Sequence, residues 1–292
     1  MPLTHSRTFR VRHYECDAYG HVGNVNYLRY MQETAFDASA AAGYDMARYE
    51  ALGCHWLVRE TAIEYLRPLR YGDTVEVKTW VVDFRRVRSR RAYRLRNSLS
   101  GKVVAKGMTD WVYLDTATSR PVAIPAEMMA AFFPDGPPAS IPPRSRFPAQ
   151  PPAAREVFRQ RRRVEWRDLD PAQHVNNAVY VAYVEDCGLQ VASAYGWPQQ
   201  RMREEQFSII ARHLHLEYQR PAVIDDEVEI ATWASDMKNS TALRHFVICR
   251  AGDGVQLARA HTLWVWVDAE SGKPIRIPKA FVADFGPNIS SD

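Results

Sequence analysis

The chain has 292 residues, of which 46% are hydrophobic and 25% are charged, the balance of a soluble globular protein and not of a disordered or membrane-spanning one. Its length allows about two domains of ~100 to 200 residues each. A formal net charge of +4 is too small to indicate nucleic-acid binding by itself. No apolar run approaches the ~18 residues of a spanning helix, and the start lacks the apolar stretch of a signal peptide. We therefore expect a cytoplasmic protein that binds neither nucleic acid nor a membrane.

Cysteine and histidine spacing gives no indication of a metal centre. The chain has four cysteines, which form no Cys-x-x-Cys pair: Cys16, Cys54, Cys187 and Cys249. Neither a disulfide framework nor a thiolate zinc site is therefore indicated. His213 and His215 would share one face of a strand, but no third ligand is evident. We predict no metal ion and no cofactor.

In chain order, the first half predicts one strand, one long helix and then several strands. The alternating run over 8–14 predicts a strand, the polar stretch 17–21 a turn, and the spacing of apolar residues over 24–42 an amphipathic helix. Four later runs, 55–65, 74–84, 88–96 and 103–114, have the composition of strands and are separated by turn signals. Such short connections favour antiparallel pairing.

A proline-rich segment, residues 134–153, separates the two halves. Proline at this density prevents a helix or a central strand, and an extended polyproline segment of this length would span about 60 Å at ~3.1 Å per residue. The sequence therefore predicts a first domain over 1–133, a linker over 134–153 and a second domain over 154–292.

The second half repeats the first at a constant offset. Asp17 and His21 recur as Asp170 and His174, an offset of 153 positions. The same offset relates these further pairs: Val22 and Val175, Asn24 and Asn177, Tyr27 and Tyr180, Tyr30 and Tyr183, Trp111 and Trp264, Pro125 and Pro278. A repeat of this length is a duplicated domain and not a solenoid unit. We expect the two copies to pair with each other, and a further pairing of tandem chains into a homodimer is also compatible with the sequence.

The repeated segment carries a family resemblance. Residues 16–30, Cys-Asp-Ala-Tyr-Gly-His-Val-Gly-Asn-Val-Asn-Tyr-Leu-Arg-Tyr, resemble the signature of the hotdog-fold thioesterases related to 4-hydroxybenzoyl-CoA thioesterase. Residues 168–180 resemble the same element of plant acyl-ACP thioesterases, which are themselves tandem hotdogs. The resemblance implies an α+β protein with two tandem hotdog domains, each a long helix wrapped by a curved antiparallel sheet. It also implies hydrolysis of an acyl-CoA or acyl carrier protein thioester without a cofactor.

Thioester hydrolysis needs a group that activates water or attacks the carbonyl carbon, and donors that stabilise the negative charge on the carbonyl oxygen. Asp17 and Asp170 are the catalytic candidates, because each precedes a helix whose first amides lie at its positive end. The alternative for both is helix capping or turn formation. We rank Asp17 first, because Gly20 and Gly23 beside it would permit close approach of a ligand to the backbone.

His21 and His174 are secondary catalytic candidates, since the plant family implicates the matching histidine. The substrate-binding candidates are Gly23, Asn24, Asn26, Tyr27, Asn176, Asn177, Arg86, Arg88 and Arg90. For Tyr27 a place in the core is the alternative. The arginines belong to a run in which Arg86, Arg88, Arg90, Arg94 and Arg96 would point the same way from a strand. They would form either a solvated surface or a dock for phosphates or an acidic partner.

The sequence departs from the plant pattern at two places in each half. The plant asparagine two residues after the aspartate is replaced by Tyr19 and Ala172, and the plant glutamate after the Glu-Tyr-Arg run is replaced by Pro68 and Pro221. These departures favour the simpler mechanism of an aspartate beside a helix N-terminus. Two other functions remain open: a non-catalytic acyl-CoA-binding sensor, and a hydratase or dehydratase on the same fold.

Overall fold

The computed structural model describes residues 2–136, 138, 140–141, 143–144 and 147–290. The chain divides into two compact units, Met1–Arg146 and Phe147–Asp292. Each unit contains one long helix, two short helices and five strands. No helix in the described part of the chain is both long enough and apolar enough to cross a membrane.

The first unit is a five-stranded antiparallel sheet with one long helix packed on it. Its elements are β1 (Thr4–Arg10), α1 (Asn24–Ala41), α2 (Met46–Ala51), β2 (Cys54–Tyr65), β3 (Thr74–Phe84), β4 (Arg88–Asn97), β5 (Val103–Asp115) and α3 (Ala126–Phe132). The strands lie in the order β1-β3-β4-β5-β2, and all neighbours are antiparallel. The antiparallel pairing expected from the short connections is therefore confirmed.

The second unit repeats this architecture. Its elements are β6 (Phe158–Arg163), α4 (Val179–Ala194), α5 (Gln199–Glu204), β7 (Phe207–Tyr218), β8 (Glu227–Ser235), β9 (Thr241–Arg250), β10 (Gln256–Asp268) and α6 (Lys279–Phe285). The strand order is β6-β8-β9-β10-β7, again antiparallel throughout. Both units therefore have the predicted α+β architecture.

Close approach of helix and sheet has a different basis in each unit. In the first, a Cβ atom at Gly107 on β5 would lie 2.6 Å from the Sδ and Cε atoms of Met31 on α1. In the second, the glycine is on the helix: a Cβ atom at Gly188 would lie 3.0 Å from the ring of Trp264 on β10. The pattern of buried residues on α1 follows the helical spacing, so that one face of the helix packs on the sheet.

One sequence prediction about the elements needs correction, and two further features of the elements were not predicted. The first strand covers Thr4–Arg10 and not 8–14, because residues His13–Glu15 form a 3-10 helix closed by the Glu15 side chain, which accepts the Arg12 amide at 2.7 Å. Helices α2 and α3 were not predicted. Helix α4 begins at Val179, two positions later than the repeat requires, because the Asn176 side chain accepts the amide of Ala178 and holds a turn there.

The second unit carries four histidines on one face of its sheet. His215, His261 and His245 are cross-strand neighbours on β7, β10 and β9, and His213 lies 6.2 Å from His261 between ring centroids. Phe147 packs on this row, 4.5 Å from His215 and 5.2 Å from His261. Within the described residues, no three side chains are placed to hold a metal ion. The four imidazoles pack against one another, with ring centroids 5.3 to 6.5 Å apart.

We expect this cluster to make the protein acid-sensitive. Burial, with smaller contributions from the neighbouring histidines and Arg259, lowers the pKa of His261 from 6.5 to about 3. Burial and the charge of Arg244, opposed by Asp236, lower the pKa of His245 to about 4. The unfolded chain binds protons below pH ~6.5 and the folded chain does not, so stability is present above that pH and is lost as pH falls toward these values.

A single histidine of this kind lowers the free energy of unfolding by about 2 kcal/mol between pH 7 and pH 5, at ~1.4 kcal/mol per pKa unit. Urea denaturation at the two pH values measures this loss. His261→Gln should reduce the pH dependence of the unfolding free energy, whereas the exposed-loop variant Asp236→Asn should leave most of it intact. An equal dependence in the parent and in His261→Gln would contradict the assignment.

Candidate active site

In the first unit the candidate aspartate closes a tight turn directly before α1. The Asp17 amide donates to the His21 carbonyl oxygen at 2.7 Å. Its carboxylate Oδ1 accepts two amides, from Tyr19 at 2.8 Å and from His21 at 3.1 Å. Gly20 has a φ of +72° and open space around the position of a Cβ atom, so it serves the left-handed turn. The turn holds Asp17 at an exposed position by one carboxylate oxygen.

The second unit builds the same turn with one strained residue. The Asp170 amide donates to the His174 carbonyl oxygen at 3.0 Å, and the carboxylate Oδ1 accepts the Ala172 amide at 3.0 Å. Gln173 takes the place of the glycine and keeps a positive φ of 62°, which costs free energy in a non-glycine residue. The side chain of Asn176 reaches Asp170 Oδ2 at 3.4 Å. Asp170 is half-buried, whereas Asp17 is exposed.

In each unit a buried acidic residue next to the turn is hydrogen-bonded to a tyrosine of the long helix. Glu15 is 8% exposed and accepts the Tyr30 hydroxyl at 2.7 Å; Asp168, 7% exposed, accepts the Tyr183 hydroxyl at 2.8 Å. The carbonyl oxygens of the same two acids accept the amides of residues 23 and 176, both at 2.9 Å. Sequence reasoning missed these acids. The signal was present, since an acidic residue stands two positions before the aspartate in both halves.

Two predicted substrate-binding residues belong to the structural core. Tyr27 is 3% exposed, and its hydroxyl accepts the Leu69 amide at 3.3 Å. Asn26 is 6% exposed and donates to the Glu15 carbonyl oxygen at 2.8 Å. Tyr27 therefore lies in the core, which is the alternative that the sequence left open for it, and its contact with substrate stays a prediction. Asn26 holds the start of α1 on the segment that carries Glu15.

The amides at the start of α1 are only partly available to a ligand. The Gly23 amide donates to the Glu15 carbonyl oxygen at 2.9 Å, and the Asn26 amide donates to the Gly23 carbonyl oxygen at 3.0 Å. The helix itself offers no acceptor to the amides of Asn24 and Val25, which precede its first complete turn. The amides of Gly23 and Asn26 are therefore removed from the predicted set of donors at 23–26. In the second unit Asn177 lies in the turn before α4.

The two motif histidines differ in their surroundings. Partial burial and the neighbouring Arg70 lower the pKa of His21, against the opposing charge of Asp17. In the second unit Nδ1 of His174 is buried, and among the described residues it has no hydrogen-bond partner. Such an unpaired polar atom is uncommon in a folded protein and is expected where a ligand or water binds.

Comparison with known proteins identifies the duplicated unit. The model of the thioesterase-like superfamily matches twice, over residues 11–132 and 164–285. The chain belongs to the thioesterase-like superfamily. The resemblance of the repeated segment is therefore confirmed, and so is the prediction of two tandem hotdog domains, since solved thioesterases share the fold over 90% and 89% of this chain.

The thioesterase-like chain resembles two groups of relatives. It is 24% identical to the palmitoyl-acyl carrier protein thioesterase of Gossypium hirsutum over 281 residues, which cover 90% of this chain and 64% of that protein. It is 32% identical to the acyl-CoA thioester hydrolase YbgC of Escherichia coli O157:H7 over 129 residues, 44% of this chain and 96% of that one. The chain thus spans slightly less than two thirds of the length of the plant relative.

Two solved structures show the same fold over most of the thioesterase-like chain. An oleoyl thioesterase (putative) from Lactobacillus plantarum is 19% identical, with a TM-score of 0.75 over 90% of this chain and 96% of that one. A 12:0-ACP thioesterase from Umbellularia californica is 23% identical, with a TM-score of 0.70 over 89% of this chain and 93% of that one.

Two arginines of the predicted face, Arg88 and Arg90, are paired with acids. Arg86 lies in the loop between β3 and β4, outside the strand. Arg88 pairs with Asp110 at 2.9 Å. Arg90 is 7% exposed and donates to Asp83 through Nε at 3.1 Å and Nη2 at 2.8 Å. Arg86 is thus outside the strand and Arg90 is buried, contrary to the predicted common exposed face, whereas Arg94 and Arg96 are exposed on β4. The ion pairs argue against phosphate binding at Arg88 and Arg90.

The proline-rich segment completes this ion cluster. Arg144 pairs with Asp110 at 2.6 Å and with Asp83 at 3.4 Å, and Arg90 donates to the Pro143 carbonyl oxygen at 3.1 Å. Burial raises the pKa of Asp83, but the bonds from Arg90 and the charges of both arginines more than offset it, so the pKa lies below its usual value. The arginines therefore fasten residues 143 and 144 to the sheet of the first unit.

Proposed function

We propose that this chain hydrolyses acyl thioesters to a free acid and a thiol. One observation carries the proposal: a chain of the thioesterase-like superfamily holds the same aspartate turn twice, each time directly before the long helix and each time with the same backbone bonds. Capping alone would not require the supporting acid–tyrosine pair beneath both turns. The names of two relatives, an acyl carrier protein thioesterase and an acyl-CoA thioester hydrolase, support the same reaction.

In the proposed mechanism Asp17 acts on the thioester through the carboxylate oxygen that accepts no amide of the turn. Oδ1 accepts the Tyr19 and His21 amides, so Oδ2 is the candidate for taking a proton from water or for attacking the carbonyl carbon. A backbone amide at the start of α1 would stabilise the oxyanion, at about 2.7 to 4 kcal/mol for a donor of this kind. Collapse of the tetrahedral intermediate then expels the thiolate, which takes up a proton. The general-base route gives the free acid directly, whereas the nucleophilic route gives a mixed anhydride on Asp17 that water hydrolyses to the free acid and the restored carboxylate. Both routes require no cofactor.

The second unit is proposed as a related site with its own chemistry. Asp170 occupies the position of Asp17, and Asn176 contacts its Oδ2 atom at 3.4 Å. The unpaired Nδ1 of His174 would accept or donate a hydrogen bond to bound water or substrate. A cytoplasmic location, a homodimer of tandem chains and the linker boundaries 134–153 are also proposed; these three rest on the sequence.

The test follows thiol release from a panel of acyl-CoA and acyl carrier protein thioesters of different chain length. Hydrolysis of at least one class, proportional to enzyme concentration and above the uncatalysed rate, is the expected result. Tight binding of these esters without thiol release would contradict the proposal and would favour a non-catalytic sensor. Formation of a hydrated or dehydrated acyl product with the thioester intact would favour a hydratase or dehydratase.

A further inference from the structure

The surface around Asp17 consists of three segments held together by backbone bonds. The Val22 amide donates to the Leu69 carbonyl oxygen at 2.8 Å, and His21 forms an isolated β-bridge with Arg70. The Val11 amide donates to the Asp73 carbonyl oxygen at 2.8 Å. Residues 10–14, 17–21 and 67–73 therefore form one continuous surface, which we call the collar of the first unit.

The collar carries positive charge without matching carboxylates. Its exposed arginines are Arg10, Arg12, Arg67 and Arg70. Arg12 donates to the Tyr14 hydroxyl at 2.7 Å, and Arg67 donates to the Val103 carbonyl oxygen at 2.7 Å. Within the described residues, none of the four arginines lies within ion-pair distance of an acid. The only acids of the collar segments are Asp17 and Asp73.

Exposed aromatic rings stand among these arginines. Tyr14 is 73% exposed and Tyr71 is 62% exposed. The rings of His13 and Tyr71 meet edge to face at 5.7 Å, and the Arg12 guanidinium lies 5.9 Å from the centre of the Tyr14 ring. Rings and guanidinium groups side by side suit a ligand that combines a heteroaromatic base with phosphates. An acidic protein surface would need the charges but not the rings.

The equivalent surface of the second unit is different. Arg163 pairs with Asp225 at 2.6 Å, and Arg167 pairs with Glu165 at 2.6 Å. Arg70 is replaced there by Val223, a neutral residue. The equivalent segments hold three arginines, Arg163, Arg167 and Arg220, against four acids, Glu165, Asp170, Asp225 and Asp226. Only the first unit thus presents an excess of positive charge beside its aspartate turn.

We infer that the collar of the first unit binds the nucleotide part of CoA, the 3′-phosphorylated adenosine diphosphate, and so selects acyl-CoA thioesters for the Asp17 site. The arginines meet the phosphates, and the exposed rings of Tyr14 and Tyr71 stack on the adenine. The selection of acyl-CoA substrates rests on the proposed function, but nucleotide binding itself requires no turnover.

The test therefore measures equilibrium binding by calorimetry, with CoA and with pantetheine, which has the same thiol arm but no nucleotide. CoA should bind at least about 10-fold more tightly than pantetheine, and this difference should shrink as salt rises. The double variant Arg12→Gln/Arg70→Gln should weaken CoA binding by about 10-fold or more and leave pantetheine binding unchanged. Tyr71→Ala should weaken CoA binding several-fold.

The matched control is Arg163→Gln/Arg220→Gln, which removes the arginines at equivalent positions of the second unit and should leave CoA binding unchanged. Equal affinity for CoA and pantetheine, no measurable CoA binding, or an equal loss in the control would overturn the inference. The inference would also be overturned if the double variant Arg12→Gln/Arg70→Gln had a raised KM for an acyl carrier protein ester but unchanged CoA binding. If CoA binds as expected and no thioester is hydrolysed, the proposed function fails and the nucleotide site stands.

Discussion

Replacing Asp17 with asparagine is expected to lower kcat for thioester hydrolysis by about 10²- to 10⁴-fold, the usual contribution of a positioned general base. The asparagine Oδ1 atom can still accept the amides of Tyr19 and His21, which Asp17 accepts at 2.8 and 3.1 Å, so the turn should keep its conformation. The amide can neither take a proton from water nor form an anhydride. Steady-state thiol release measures the change.

Asp170→Asn is the natural companion, because the repeat places it at the equivalent position. If the first unit carries most of the turnover, Asp170→Asn lowers kcat less than Asp17→Asn does. Both variants should unfold at the temperature of the parent, since neither residue is in the core. A variant Asp17→Asn that is fully active while Asp170→Asn is inactive would move the proposed reaction to the second unit.

Replacing Asp83 with asparagine is expected to have the largest effect on stability, about 3 to 5 kcal/mol of unfolding free energy. The Asp83 side chain is fully buried and pairs with Arg90, whose side chain is 8% exposed, at 2.8 Å. Removing the charge leaves the Arg90 guanidinium buried without the carboxylate that neutralises it. Arg144 also loses one of its two acidic partners. Urea denaturation followed by tryptophan fluorescence measures the loss.

The repeat provides a matched control for this substitution. Asp236 occupies the position equivalent to Asp83, but it is exposed and has a positive φ of 47°, which asparagine also tolerates. Asp236→Asn should change the unfolding free energy by no more than about 0.5 kcal/mol. A similar small change for Asp83→Asn would show that the ion cluster contributes little to stability.

Much of the fold could be predicted from the sequence because the signals were local or repeated. Helix α1 was expected over 24–42 and covers Asn24–Ala41, since its apolar residues recur at helical spacing. Strand β3 was expected over 74–84 and has those bounds. The offset of 153 positions between matching residues is sufficient by itself to indicate two units. Short helices such as α2, with six residues, give too few turns for a periodic signal.

The features that the sequence did not predict depend on tertiary contacts. Alternation along β4 placed Arg88 and Arg90 on one face, but it could not indicate that acids from β3 and β5 lie opposite them. Nor could it indicate that Phe147 would pack on imidazoles from different strands. For Tyr27 the sequence left a ligand contact and a place in the core both open; its 3% exposure and the bond to the Leu69 amide, which only the fold shows, place it in the core.

The central claim is that the duplicated aspartate turns split thioesters. Thiol release by the double variant Asp17→Asn/Asp170→Asn, compared with the parent on the best acyl thioester of the panel, tests it most directly. The expected rate is that of the uncatalysed reaction, with the substrate still bound and the protein still folded. Turnover by the double variant at the rate of the parent would contradict the claim.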